Sequence, residues 1–184
     1  MLTLVCGLGR CGTTMMMHML RAGGVSVVGL APGFEDDRAA NVPIDAAWLV
    51  SLGDSAVKVL DPHRGWREQV AARAIWLDRD ETEQAKSQVK FLRLVGGVPI
   101  PTSAWKAMRS RLRADRALCM RVIPVERKII SFEAVLASPC AAASELATWF
   151  DGFDQDAAAA VVKRRSPKCA TSLQLETELM MSNC

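Results

Sequence analysis

The chain has 184 residues, half of them hydrophobic and 23% charged, with a formal net charge of +3. That length supports a single domain over residues 1–184 with a sizeable core. No apolar run reaches the ~20 residues that span a bilayer, no basic n-region precedes the apolar start as in a signal peptide, and the mild basic bias lacks the concentrated stripe that nucleic acid calls for. Neither a membrane nor a nucleic acid is therefore expected as partner.

In chain order, Met1 to Cys6 reads as a buried strand and Thr13 to Arg21 as a helix stopped by Gly23-Gly24. That helix is apolar on nearly every side, so Met15, Met16 and Met17 are read as core filling and His18 as a packed histidine. Val25 to Leu30 reads as a second strand. Ala31-Pro32-Gly33 then breaks the chain before the acidic cluster Glu35-Asp36-Asp37. Ile44 to Ser51 is a short helix and Ala56 to Leu60 a clear strand, stopped by Asp61-Pro62.

Arg64 to Ala72 reads as a helix and Ala74 to Leu77 as a further buried strand. Asp80 caps the next helix, with Glu83 at capping-box spacing, and that helix runs to about Arg93. A loop over Gly96 to Pro101 leads to a basic helix from Ser103 to about Cys119, read as a solvated face. Lys128 to Phe132 is a strand; Ser138 to Phe150 and Asp154 to Val162 are helices, the last followed by Lys163-Arg164-Arg165. The tail from Lys168 is weakly patterned. Strands alternating with helices predict an α/β fold, a parallel sheet flanked by helices on both faces and of P-loop nucleotide-binding type. Six cysteines are scattered without a CxxC pair, which predicts reduced thiols in a cytoplasmic protein, with neither disulfide framework nor zinc.

The stretch Gly7-Leu8-Gly9-Arg10-Cys11-Gly12-Thr13-Thr14 lies between the first strand and the first helix. A glycine-rich turn there exposes backbone N–H groups at the positive end of the helix dipole, an arrangement that holds phosphate or sulfate. The spacing Gly7-x4-Gly12 is that of a nucleotide-phosphate loop, but Thr13 stands where an ATP or GTP hydrolase has lysine, and the cation is Arg10. Further along, Arg79 ends the Ala74–Leu77 strand and Ser87 follows two helical turns later, so a cation and a hydroxyl converge on one place. Parallel strands also carry Glu35, Lys58 and His63 towards the same sheet edge.

Together these stretches resemble the sulfotransferases that use 3′-phosphoadenosine 5′-phosphosulfate (PAPS). Arg10-Cys11-Gly12-Thr13-Thr14 is similar to the family's first motif, and Arg79 with Ser87 to its 3′-phosphate motif. Ile130 to Pro139 resembles the late strand-turn-helix of such enzymes. Gly9 and Cys11 depart from the usual proline and serine. The C-terminal basic-glycine loop is absent, Lys163-Arg164-Arg165 being its candidate substitute.

The resemblance implies transfer of a sulfuryl group from PAPS to a hydroxyl or amine of a small molecule or glycan, leaving adenosine 3′,5′-bisphosphate, with no metal. Arg10, Cys11, Gly12, Thr13 and Thr14 would hold the 5′-phosphosulfate, and Arg79 and Ser87 the 3′-phosphate. Arg10 would stabilise developing charge, and Lys58 either touches the sulfonate or is a structural lysine. The general base falls to Glu35, then His63, then Asp36. Two alternatives stay open: a small-molecule kinase of ATP, with Asp61 or Asp78 on magnesium, and a non-catalytic nucleotide-binding module.

Overall fold

The computed structural model describes residues 1–67, 70–95, 99–124 and 126–169. Part of the expected 96–101 loop and most of the tail from Lys168 lie outside the described residues. Four strands, β1 (Leu2–Gly7), β2 (Ala56–Leu60), β3 (Ala72–Asp78) and β4 (Arg127–Ser131), form one parallel sheet in the order β2-β1-β3-β4. Val5 of β1 pairs with Lys58 on one side and Ile75 on the other. The helices are α1 (Thr13–Ala22), α2 (Asp37–Ala40), α3 (Ala46–Ser51), α4 (Pro62–Gly65), α5 (Glu81–Val95), α6 (Trp105–Val122), α7 (Phe132–Ala137), α8 (Pro139–Ala147) and α9 (Gln155–Ala160).

Alternation along the strands splits the core in two. Val5, Ile75 and Leu77 pack on one face with Met16, Met17, Met19 and Leu20 of α1, Phe132 and Leu146. Leu4, Cys6, Val57, Val59 and Trp76 pack on the other with Trp48, Trp66, Leu112 and Cys119. Helices thus cover both faces, as a buried parallel sheet requires. Two adjacent strands send their chains to opposite faces: β1 leads into α1 on the first, β3 into α5, whose Ala85 is on the second. The crevice at the carboxyl ends of β1 and β3 is therefore the switch point where open α/β sheets bind ligands. Among the described residues, no helix is long and apolar enough to cross a membrane.

Three local expectations are corrected. The segment Val25–Leu30 is not a regular strand. Ser26 and Val28 exchange backbone hydrogen bonds with Ala56 in one isolated bridge at Val27, and Gly29, at φ +89°, then turns the chain away. Of the expected Arg64–Ala72 helix, whose residues 68–69 lie outside the described residues, the described part forms only the end of the four-residue α4. Pro62 starts it, and Gly65, whose carbonyl accepts from the Ile44 amide, ends it as Trp66 enters the core. The capping box at α5 is half built. Asp80 accepts from the Thr82 and Glu83 amides, but the Asp80 amide donates to Glu133 and not to Glu83.

His18 is half-buried, its ring edge-on to Phe34 with centroids 4.7 Å apart. Burial holds its pKa below the ordinary 6.5. The native state therefore resists protonation, so stability present above pH 6.5 declines as pH falls through and below that value. His18→Gln should lose less melting temperature than the parent between pH 7.5 and pH 5.5; equal losses would remove His18 from this role.

Candidate functional site

The Gly7–Thr14 loop is shaped by contacts that leave little room for side chains. Arg10 (φ +69°) and Gly12 (φ +107°) both adopt left-handed backbone. A Cβ on Gly12 would stand 2.6 Å from the Phe132 ring, and one on Gly7 would collide with the Cys11 sulfur. The loop carbonyls are taken from outside. Gln84, buried on α5, donates to the Leu8 and Gly9 carbonyls at 3.2 and 2.9 Å, and Arg79 donates to the Arg10 carbonyl at 2.9 Å. With Gly12 as N-cap and no side-chain cap, the first-turn amides of α1 have no intrahelical carbonyl to bond, the condition under which a helix N-terminus can accept an anion. Burial pushes the Cys11 thiol up to about 12, so it is neutral and does not repel an anion.

Gly12→Ala combines the positive φ with the close Phe132 ring, and it should move the loop enough to weaken phosphate-ligand binding more than tenfold. Left-handed backbone alone costs about 1–2 kcal/mol for a residue with Cβ. Calorimetry with adenosine 3′,5′-bisphosphate reads the effect, and unchanged affinity would show that the loop is not the anion site.

Two groups of the expected residues gather at this loop. On the α5 side, Arg10 donates from Nε to Ser87 Oγ at 3.3 Å and lies over the Phe91 ring. Arg79 reaches across from the end of β3, spans the Arg10 and Pro167 carbonyls, each at 2.9 Å, and lies 4.5 Å over Phe132. Its Nε is buried with no hydrogen-bond partner among the described residues. Burial lowers the Arg79 pKa from its usual value, with repulsion from Arg10 acting the same way. Arginine stays cationic regardless, so the site holds two guanidiniums, with the Glu133 and Glu83 carboxylates near Arg79 acting against their repulsion.

On the β2 side, Lys58 is buried in the sheet face beneath α1. Its Nζ donates to Thr14 Oγ1 at 3.1 Å, to the Gly33 carbonyl at 3.0 Å and to Glu35 at 2.9 Å. The Glu35 side chain is 71% exposed, so the pair links the start of α1 to solvent. Asp36 is engaged elsewhere, capping α2 and pairing with Arg38. His63 is not brought into this group. Its Nδ1 lies 3.1 Å from Cys119 Sγ and its Nε2 3.9 Å from Asp115, both on α6. The basic residues of α6 are in part paired, Arg113 with Glu81 and Arg116 with Asp78.

Gln84, Phe132, Glu133 and the 165–169 segment were not singled out for the site, apart from Arg165 within the basic run. Arg165 lies over the same Phe132 ring, and the Cys169 amide donates to Glu83. The signal for Gln84 was present: Gln84, Ser87, Gln88 and Phe91 share one helical face, the one turned to the loop. Among the described residues no group of three or more His, Cys, Asp or Glu side chains is arranged to hold a metal ion. No protein-family model matches the chain, and no curated protein matches it.

Proposed function

We propose that this chain is a PAPS-dependent sulfotransferase with a P-loop-type donor site. The observation that carries the reading is the junction of two distant motifs: the Arg10 side chain bonds Ser87 while Arg79 bonds the Arg10 carbonyl. An ATP-type site calls for a loop lysine, where this chain has Thr13, and a carboxylate for magnesium, not for a second basic clamp. A second basic clamp beside it suits a donor with a second, separate phosphate. The residues present fit that donor in two respects: the first-turn amides of α1 face one anion, and the unpartnered buried Arg79 Nε with the Ser87 hydroxyl suits another.

Bound PAPS supplies a sulfuryl group on a phosphate leaving group; the S–O bond to that phosphate breaks as one to the acceptor oxygen or nitrogen forms. The protein's part is positioning and charge. Thr13, Thr14 and the Gly12 amide would hold the 5′ end, the Cys11 amide being spent on the Leu8 carbonyl at 3.2 Å, and Arg79 and Ser87 would hold the 3′-phosphate. Lys58, donating to Thr14 at 3.1 Å, would supply a cation beside the start of α1, with Arg10 on the α5 side. Glu35 would take the acceptor proton, its exposed carboxylate being held at Lys58. His63, facing α6, is the weaker candidate.

Cytoplasmic localisation belongs to the same proposal, on the ground that Cys6, Cys11 and Cys119 are buried as free thiols. The test is transfer of label from sulfur-35 PAPS to a panel of hydroxyl and amine compounds. Labelled product with matching release of adenosine 3′,5′-bisphosphate is expected. Bisphosphate binding without transfer to any class would leave a non-catalytic binding module.

A further inference from the structure

A cleft of about 330 Å³ opens at the carboxyl end of β2, lined by residues from the end of that strand, from α2 and from α4. Its volume is at the lower end of the ~300–1,000 Å³ typical of small-molecule sites. Lys58 and Glu35 belong to its lining and also, through Thr14, to the Gly7–Thr14 loop. The cleft therefore shares its inner end with the site proposed for the donor.

We propose that this cleft receives the acceptor, and that the acceptor is a small aminated or uncharged hydroxyl compound and not a polyanion. The inference rests on the sulfuryl-transfer reading above. The charged lining is four carboxylates, Glu35, Asp36, Asp37 and Asp61, against two cations, Lys58 and Arg64. Both cations already face carboxylates, Lys58 on Glu35 at 2.9 Å and Arg64 on Asp61 at 3.9 Å, while Asp36 is turned to Arg38. The remaining field is negative, set chiefly by Asp37 and the loosely paired Asp61. Such a field gathers cations and turns away anions. Val42 and Leu60, 65% and 37% exposed, add hydrocarbon on the lining, the kind of surface on which a sugar ring or short alkyl chain rests.

Two matched trios test this: glucosamine, glucose and glucuronate, and 3-aminopropanol, propanol and 3-hydroxypropionate. Binding is read by saturation-transfer NMR without donor, and transfer by labelled PAPS. The amine of at least one trio should bind and be sulfated about tenfold or more better in kcat/KM than its acid, with the neutral compound between. Asp37→Asn/Asp61→Asn should shrink that ratio about five- to tenfold while leaving bisphosphate affinity unchanged; asparagine suits the left-handed backbone of Asp61 at φ +48°. An acid that is bound or sulfated as well as its amine, or a ratio unmoved in the double variant, overturns the proposal. So does a failure of all six to bind to a chain that binds the bisphosphate. Amine-selective binding that the double variant weakens, with no transfer to any probe, sustains the cleft and overturns the sulfotransferase reading instead.

Discussion

Lys58→Met is expected to lower sulfuryl transfer about 10²-fold or more while leaving bisphosphate affinity within about threefold. Removing a single preorganised charge-stabilising donor from a transfer site costs on the order of 10²–10³ in rate. Lys58 is 5% exposed and its stem is part of the β2 face, so the unbranched, similarly long methionine keeps the packing. What is lost is the ammonium that joins Thr14, Gly33 and Glu35. The product carries no sulfonate, so its binding should barely register the change. Glu35→Gln separates the roles: the amide oxygen still accepts from Lys58 but does not take a proton, so kcat should fall with KM little changed. A Lys58→Met chain that transfers at the parental rate would make Lys58 a structural lysine only.

The second large effect is at Arg79. Arg79→Ala should weaken adenosine 3′,5′-bisphosphate about tenfold to a hundredfold, since charge-assisted hydrogen bonds to phosphate contribute about 1.5–3 kcal/mol each. Adenosine 5′-phosphate should lose less. Some loss is expected there too, because Arg79 also holds the Arg10 carbonyl and so the shape of the loop. Arg79→Lys keeps the charge but lacks the fork that spans the Arg10 and Pro167 carbonyls, and should recover only part of the affinity. Equal losses for the two nucleotides would assign Arg79 to loop support and not to the 3′-phosphate.

What was legible in the chain follows from the range of the forces involved. β1, β2 and β3 are buried on both faces, so their apolar runs announce them, and the loop's glycines are needed where φ is positive or the Phe132 ring approaches. The parallel sheet with helices on both faces followed from that alternation. Val25–Leu30 has strand composition, but whether it pairs for six residues or one depends on Gly29 and on how the 30–35 turn packs. α4 stops as the Gly65 carbonyl accepts from the Ile44 amide, and position 65 takes glycine because a Cβ there would stand 2.8 Å from the Asn41 carbonyl, both contacts made across the fold. In the site, Arg10, Thr14, Lys58, Arg79 and Ser87 were legible from spacing and strand ends. Glu133 reaching the Asp80 amide and Pro167 reaching Arg79 were not, since 53 and 88 residues separate those partners. His63 shows the converse failure: it follows a strand end, but α4 turns its ring to Cys119.

The central claim is that the Gly7–Thr14 loop and the Arg79–Ser87 pair form one site for a nucleotide with phosphates at both the 5′ and 3′ positions. The most direct test is calorimetric titration of the full chain with adenosine 3′,5′-bisphosphate, adenosine 5′-phosphate, and ATP with and without magnesium. The account predicts that the bisphosphate binds at least tenfold tighter than either other nucleotide and does so independently of magnesium. Tighter ATP binding that requires magnesium would contradict it and favour a kinase.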